Sequence, residues 1–591
     1  MLKGIRGSSD IRIIVSVGPN VSPQTSPTER SDRPRGDLSS AAQPNKNPSI
    51  PAGNSSVTVT AKNAYTVTID PPGNKSAQSI PVNVTTLAGS GSTPFAPLHT
   101  YYVSPTGSDG NNGLTPATAW ATANHSVVCG DVIIAAAGSY GARFGDETGN
   151  AFGTVSNCPS TTGGIDGTGG IYFAVLLCGG PDLMSCQANG GRGPAFEIDQ
   201  SNWAVEGFWA TMDPTGDRTC FGGLGTKTGV MWHHIAFINN IASTCNLAGF
   251  NTGNIGINNA GPDQTAMIGG IVYNGANSLG PYRVCGSGIS VIPAKQNTDA
   301  GTHIIVEQNF VYKSTNSPGA SQCTAGGGTY PHSDGEGIIL DSWGFMNYPS
   351  QAVIRNNVMW QNGNQGFQVF PQGNGTTNDR AKIYVRNNTS CCNFNDNSIA
   401  GGGDLWLHGI YPSGGGFYKV QNNIFLADKH SPANNGNPVT IVTAAIVECP
   451  NSGNNCRGFD QTTILVDQNY IWNSYPPTTV GLGGYNTFWN STWPWGKNTY
   501  DNPGLTSPYS LPTTAPDCTG YTNTVDCMLT KYNVYNNIKP TIAPLTMGYQ
   551  PPSTCSPDPL FPTWLKGIVY LQASGSSIRQ TYGMMTLPCG M

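Results

Sequence analysis

Residues 303–309 read HIIVEQN, and the same phrase recurs as AVIRNN at 352–357, KIYVRNN at 382–388, YKVQNN at 418–423 and TILVDQN at 463–469. Each is a short apolar alternation ending in a paired amide. A period of two marks a strand with one buried face. The amide pair is corner chemistry, because Asn tolerates the left-handed backbone that a sharp turn demands. If every strand ends in a tight corner, Asn240, Asn309, Asn357, Asn388, Asn423 and Asn469 stack as a ladder, each amide bonding its neighbours one coil away. Their separations of 69, 48, 31, 35 and 46 residues are irregular. The coils must therefore carry loops of unequal length, and the widest gap is expected to hide a coil without the amide.

A second column of strands aligns by its own pattern: GISVIP from Gly288, GIILDS from Gly337, GFQVFP from Gly366 and DLWLHG from Asp404. Alternation puts Ile289 and Val291, Ile338 and Leu340, Phe367 and Val369, and Leu405 and Leu407 on the core side. The opposite side faces solvent or ligand. Short polar corners in place of intervening helices predict an all-β parallel β-helix rather than a doubly wound α/β sheet. A sandwich or propeller is the alternative, since spacing alone does not prove parallel pairing.

Composition agrees with a turn-rich β protein. Glycine is abundant at 76 of 591 residues, and only 10% of residues are charged against the usual quarter. A net charge of -5, with no basic run interleaved with aromatics, argues against a nucleic-acid partner. The 16 cysteines include no CxxC pair, so they lack zinc-site spacing and are read as mostly disulfides. Cys449 with Cys456, Cys518 with Cys527, and Cys178 with Cys186 are close enough to close small loops, while adjacent Cys391 and Cys392 are expected to point opposite ways on a strand. No stretch has the ~18 apolar residues of a membrane span. The N-terminal stretch has too short an apolar run for a secretory signal, so secretion is inferred from cysteine usage.

Residues 1–53 are rich in Pro and Ser without apolar periodicity and are assigned no structure. Residues 54–98 contain three strand-like alternations and form a short β-rich lead-in or small module. Residues 99–475 are the solenoid. The Cys- and Pro-rich stretch 476–591 is expected to cap the last open coil, tied down by Cys518, Cys527, Cys555 and Cys589. Trp489, Trp493 and Trp495 are read as packing against this cap rather than binding sugar.

The solenoid opens with YYVSPTGSDGNNGLTPATAW at Tyr101–Trp120, then GDVIIAAAGSY at Gly130–Tyr140. This pairing resembles the opening of secreted right-handed parallel β-helix proteins of the pectate-lyase-like superfamily, including polysaccharide lyase family 9. The likeness spans about forty residues at the capping end, which members with different chemistry share. It implies a fold. Asp109 and Asp131 within it are read as turn residues.

The outer positions of the second column run Ser290, Ile339, Gln368 and Trp406 in one row and Ile292, Asp341, Phe370 and His408 in the next. Phe370, Trp406 and Gln368 are the candidate substrate contacts, rings to stack on a sugar and an amide for its hydroxyls. HSDGEGIILDSWG concentrates carboxylates at Asp334, Glu336 and Asp341, a candidate oxygen set for calcium; the bland reading is turn chemistry at Asp334-Gly335. The superfamily resemblance implies polysaccharide cleavage, with calcium on a uronate carboxylate and a base taking the neighbouring proton for β-elimination. Lys295 and His408 are the candidate bases, and Lys313 and Arg355 sit near corners. A glycoside hydrolase using Glu336 and Asp341 as an acid pair, and a non-catalytic sugar-binding or adhesive β-helix, remain open. The partner is then a polysaccharide, and the protein a monomer, or a trimer if spike-like.

Overall fold

The computed structural model describes residues 67–69, 80–82, 97–145, 151–159, 171–213, 218–223, 226–227, 230–253, 261–276, 286–294, 301–315, 323–325, 328–330, 335–341, 348–370, 382–393, 395, 402–407, 415–427, 443–448, 464–473, 498–499, 501–544, 546–550, 560 and 562–566. The chain divides into two compact units, Met1–Thr93 and Pro94–Met591. In the first, strands Val67–Ile69 and Ile80–Val82 pair antiparallel.

The second unit is a parallel β-helix with three sheets of eleven, ten and eight strands among the described residues. One coil shows the plan. Thr302–Glu307 lies in the eleven-stranded sheet, Phe310–Tyr312 in the ten-stranded sheet and Ile338–Asp341 in the eight-stranded sheet. Gln351–Arg355 then begins the next coil beside Thr302–Glu307. The register of the second column is the one its pattern predicts: Ile289, Ile338, Phe367 and Leu405 are direct neighbours. All four are fully buried in the central core. On the N-terminal side the same inward row is aromatic. Phe144, Phe196, Phe221 and Phe250 stack with centroids 5.2, 4.8 and 4.9 Å apart. That spacing is the strand separation itself, so the backbone holds each pair in offset contact, worth about 0.5–1.5 kcal/mol beyond burial.

The paired amides divide their work. The first of each pair takes the left-handed turn: φ is 57° at Asn239, 58° at Gln308, 53° at Asn356, 54° at Asn387, 58° at Asn422 and 57° at Gln468. The second points inward and builds the ladder. Nδ2 of Asn309 donates to Oδ1 of Asn357 (2.9 Å), Asn357 to Asn388 (3.0 Å), Asn388 to Asn423 (3.0 Å) and Asn423 to Asn469 (2.9 Å). Asn469 donates onward to Asn498 (3.0 Å), a rung outside the recurring phrase. The wide gap between Asn240 and Asn309 does hold a coil without the amide. There Gly270 donates its N–H to Asn309 Oδ1, and a Cβ at Gly270 would stand 2.8 Å from that oxygen.

A second corner, after the ten-stranded sheet, repeats the device with single amides. Lys313, Gln361 and Cys392 take φ of 57°, 50° and 63°. The next residues link as Ser314 N–H to Asn362 Oδ1 (3.1 Å) and Asn362 Nδ2 to Asn393 Oδ1 (3.0 Å). Here the expectation for Cys391 and Cys392 is corrected: they are disulfide-bonded to each other. Strand alternation stops at Cys391, and the left-handed turn at Cys392 replaces it. Cys178–Cys186 and Cys518–Cys527 pair as their spacing suggests, joined by Cys129–Cys158 and Cys220–Cys245. Cys449, Cys456, Cys555, Cys589 and the tryptophans 489, 493 and 495 lie outside the described residues.

The C-terminal segment begins at the end of the solenoid, where Thr499 bridges Tyr470, and then runs back along its side. Leu511, Val525, Met528, Val534, Ile538 and Tyr549 pack on the outer face of the ten-stranded sheet, against Ile241, Ile271, Phe310, Val358 and Trp360. The outward amides of the corners hold it. Asn239 donates to Thr522 O (2.8 Å), Gln308 to Gln550 O (3.0 Å) and Asn387 to Thr546 O (2.8 Å), and Asn356 accepts from Gln550 N–H (3.3 Å). Farther on, the short helix Thr563–Lys566 places Trp564 and Leu565 on the apolar outer face of the eleven-stranded sheet. No helix among the described residues is long and apolar enough to cross a membrane.

Candidate functional site

The outer face of the eight-stranded sheet gathers four of the expected residues. Gln368 is the register neighbour of both Ile339 and Trp406, and Asp341 of Phe370. Adjacent coils lie about 4.8 Å apart and alternate residues about 6.7 Å apart along a strand, so the four form one compact group. Gln368 is buried, while Asp341, Phe370 and Trp406 are half-buried. The result is a partly covered shelf with two rings, an amide and a carboxylate.

Glu336 is elsewhere. It sits at the corner before the strand, 2% exposed, with Oε2 accepting from Ser287 Oγ (2.6 Å) and Oε1 from Asn364 Nδ2 (3.0 Å). Gly337 bends the chain between it and the strand Ile338–Asp341. These contacts place Glu336 at the corner, and Asp341 ends the strand Ile338–Asp341. Asp404 has the same kind of corner role, accepting from Ser390 Oγ (2.8 Å) and Asn393 Nδ2 (2.5 Å). Lys295, Asp334 and His408 lie outside the described residues. Arg355 is buried in an ion pair with Glu307 (2.8 Å) rather than at the surface. Asp109 and Asp131 do fix turns: Asp109 accepts from the N–H groups of Ala121 and Thr122, and Asp131 from that of Val128.

One group of titratable side chains among the described residues escaped the sequence reading. At the starts of successive strands of the eleven-stranded sheet, Asp263 Oδ1 meets His303 Nδ1 (2.7 Å) and accepts from Tyr348 Oη (2.6 Å). His233 Nδ1 meets His234 Nδ1 at 2.8 Å. Counting back five or six residues from each corner would have found His233, His234, Asp263 and His303. The group is nearly sealed, and His234 stacks on Tyr172 with centroids 4.6 Å apart and meets the edge of Trp564. Among the described residues no group of three or more His, Cys, Asp or Glu side chains is arranged to hold a metal.

Burial and the neighbouring His233 hold the His234 imidazole well below the usual histidine range, against the pull of Asp263; burial also lowers His233. An Nδ1 to Nδ1 contact needs one donor and one acceptor, so it tolerates a single proton between the rings. As pH falls below ~6.5 the unfolded chain binds protons that the folded chain refuses, and stability present above that pH is lost as pH drops through the folded value. The melting temperature is expected to fall between about pH 7 and pH 5. His234→Asn, which suits the left-handed φ of 55°, should flatten that slope. Parallel melting curves for the two proteins would contradict this account.

The fold is similar to several solved structures. A pectate lyase matches at 15% identity with a TM-score of 0.30, over 57% of this chain and 80% of that chain. A rhamnogalacturonan lyase matches at 14% and 0.30, over 63% and 87%. The A-module of the mannuronan C-5 epimerase of Azotobacter vinelandii matches at 12% and 0.28, over 57% and 86%. No protein-family model and no curated protein matches the sequence.

Proposed function

We propose that this chain is a secreted carbohydrate-active protein that binds a polysaccharide on the outer face of its eight-stranded sheet. The observation carrying this reading is the register placement of Trp406 beside Gln368, and of Phe370 beside Asp341, on a face whose rings stay partly accessible. A ring offers a flat apolar surface to a pyranose, and the amide and carboxylate offer hydrogen bonds to hydroxyls. The opening at Tyr101–Tyr140, with its resemblance to β-helix polysaccharide lyases, points the same way.

The finer reading is β-elimination on a uronate-containing polymer. Lys295 or His408 would take the proton from the carbon beside the uronate carboxylate. The electron pair left behind forms the new double bond as the glycosidic oxygen departs and gains a proton. Calcium would neutralise the uronate carboxylate. Of its three proposed ligands, Asp341 alone is described on the shelf, and Glu336 is engaged at the corner. The described residues do not assemble a calcium site. The buried position of Glu336 keeps a second reading in play, sugar binding without cleavage.

A panel of uronate and neutral polysaccharides, with and without chelator, tests these readings. Elimination leaves an unsaturated, ultraviolet-absorbing end, and hydrolysis a reducing end without one. Trp406→Ala should weaken binding of the recognised polymer about ten-fold, the loss of ~1.4 kcal/mol of stacking. Undiminished affinity in that variant, measured by calorimetry, would remove the shelf from consideration.

A further inference from the structure

We propose that the outer face of the eleven-stranded sheet carries a second glycan-binding surface, formed by Lys382, Arg386, Lys419, Tyr384 and Phe417, that takes a carboxylated polysaccharide. The proposal rests on the carbohydrate reading for its class of polymer, and on its own residues for the charge preference. The middle row of this outer face is apolar up to Val353, with the Arg355–Glu307 ion pair at its corner edge. Val132, Val175, Ala204, Ala236, Ala266, Ile305 and Val353 run along it, in one cluster with Trp564 and Leu565. In strands Lys382–Arg386 and Phe417–Gln421 the pattern changes. Lys382 pairs with Phe417, Tyr384 with Lys419 and Arg386 with Gln421, and alternation puts all six on that face.

The rings and cations are interleaved. Tyr384 and Phe417 meet edge to face at 5.3 Å. The Arg386 guanidinium carbon lies 4.6 Å from the Tyr384 ring centre, and Lys419 Nζ lies 4.8 Å from that of Phe417 and 5.5 Å from that of Tyr384. Lys382, Arg386, Phe417 and Lys419 are half-buried, which leaves them partly open to solvent.

Three cations on two neighbouring strands are unusual in a chain with net charge -5 and 10% charged residues. Among the described residues neither Lys382 nor Lys419 forms an ion pair; Arg386 is in register with Arg355 of the Arg355–Glu307 pair on one side, and Asp467 with Gln421 on the other. Neighbouring cations lie diagonally across the strands, about 8 Å apart by strand geometry, and their repulsion is unfavourable. Cation–π contacts of ~0.5–1 kcal/mol explain why Arg386 and Lys419 lie over rings. They give no reason for Lys382. An anionic sugar chain answers both features, since its carboxylates relieve the repulsion and its ring faces meet the half-open Phe417, with the buried Tyr384 backing the cations.

The test uses the full chain, with polygalacturonate as the charged probe and galactan as a neutral one, read by calorimetry at several salt concentrations. The double variant Lys382→Gln/Lys419→Gln is expected to lose about ten-fold or more of its polygalacturonate affinity and much of its salt dependence, with galactan binding unchanged. Lys419→Arg should bind as the wild type does, which separates loss of charge from loss of fold, and melting curves check that each variant is folded. Wild-type affinity and salt slope in the double variant would overturn the proposal, as would a wild type that does not bind polygalacturonate. Trp406→Ala reports separately on the eight-stranded sheet: its failure to weaken binding would count against that shelf and leave the result for the two lysines standing.

Discussion

Asn388→Ala is expected to cost about 4 kcal/mol of folding stability, although the residue touches no candidate ligand contact. Its side chain is fully buried and makes four hydrogen bonds: Oδ1 accepts from Asn357 N–H and Nδ2, and Nδ2 donates to Ile354 O and Asn423 Oδ1. Two of these partners have a second bond to fall back on. Asn357 Nδ2 still donates to Val306 O, and Asn423 Oδ1 still accepts from Asn388 N–H. Asn357 N–H is a backbone donor left without that partner inside the solenoid, and Ile354 O, in a strand registered with Val385, loses its side-chain donor. The orphaned donor costs ~1–3 kcal/mol, and the other lost bonds and the cavity add to it. Asn388→Asp should be no milder, because it keeps the acceptor while turning a donor into an oxygen that faces Ile354 O and Asn423 Oδ1. Denaturant midpoints at unchanged slope would measure both. A loss under ~1 kcal/mol would mean that the corner relaxes to recover its bonds.

Ending the chain at residue 500 is expected to have the largest effect of all. It uncovers Ile241, Ile271, Phe310, Val358 and Trp360 on one continuous face of the ten-stranded sheet. Each such side chain gains ~1.5–3 kcal/mol from burial, so the loss is on the order of 10 kcal/mol, as large as the whole stability of an ordinary domain. An exposed apolar patch of that extent drives association. The truncated chain should aggregate, or bind a hydrophobic dye strongly where the full chain does not. A soluble monomer with full-length proteolytic resistance would show that the sheet stands without its cover.

The repeat was legible because parallel coils force one pattern on many segments. Ile289, Ile338, Phe367 and Leu405 could be aligned from alternation alone, and the silent coil at Gly270 followed from a gap in numbering. The C-terminal segment was legible only as something that covers. Its path along the side depends on corner amides that look alike in sequence, one turned inward to its neighbours and the other outward to Thr522, Thr546 or Gln550. Glu336 was misplaced because the pattern that orients a strand stops at its first residue: Gly335, at φ 62°, turns the chain just before it. Asp341, Phe370, Gln368 and Trp406 lie within regular strands, and there the register carried over.

The outward amides also limit how this solenoid can change in length. Coils of a repeat protein are ordinarily interchangeable, each answering only to its neighbours. Here the C-terminal segment meets Asn239 at Thr522 and later, between Thr546 and Gln550, is fastened to four successive coils, at Asn422, Asn387, Asn356 and Gln308. Adding one coil would move those fastenings apart by about 4.8 Å, more than one residue of extended chain. Thr546–Gln550 acts as a ruler, so a coil between Gln308 and Asn422 can be gained or lost only with a matching change far away in sequence.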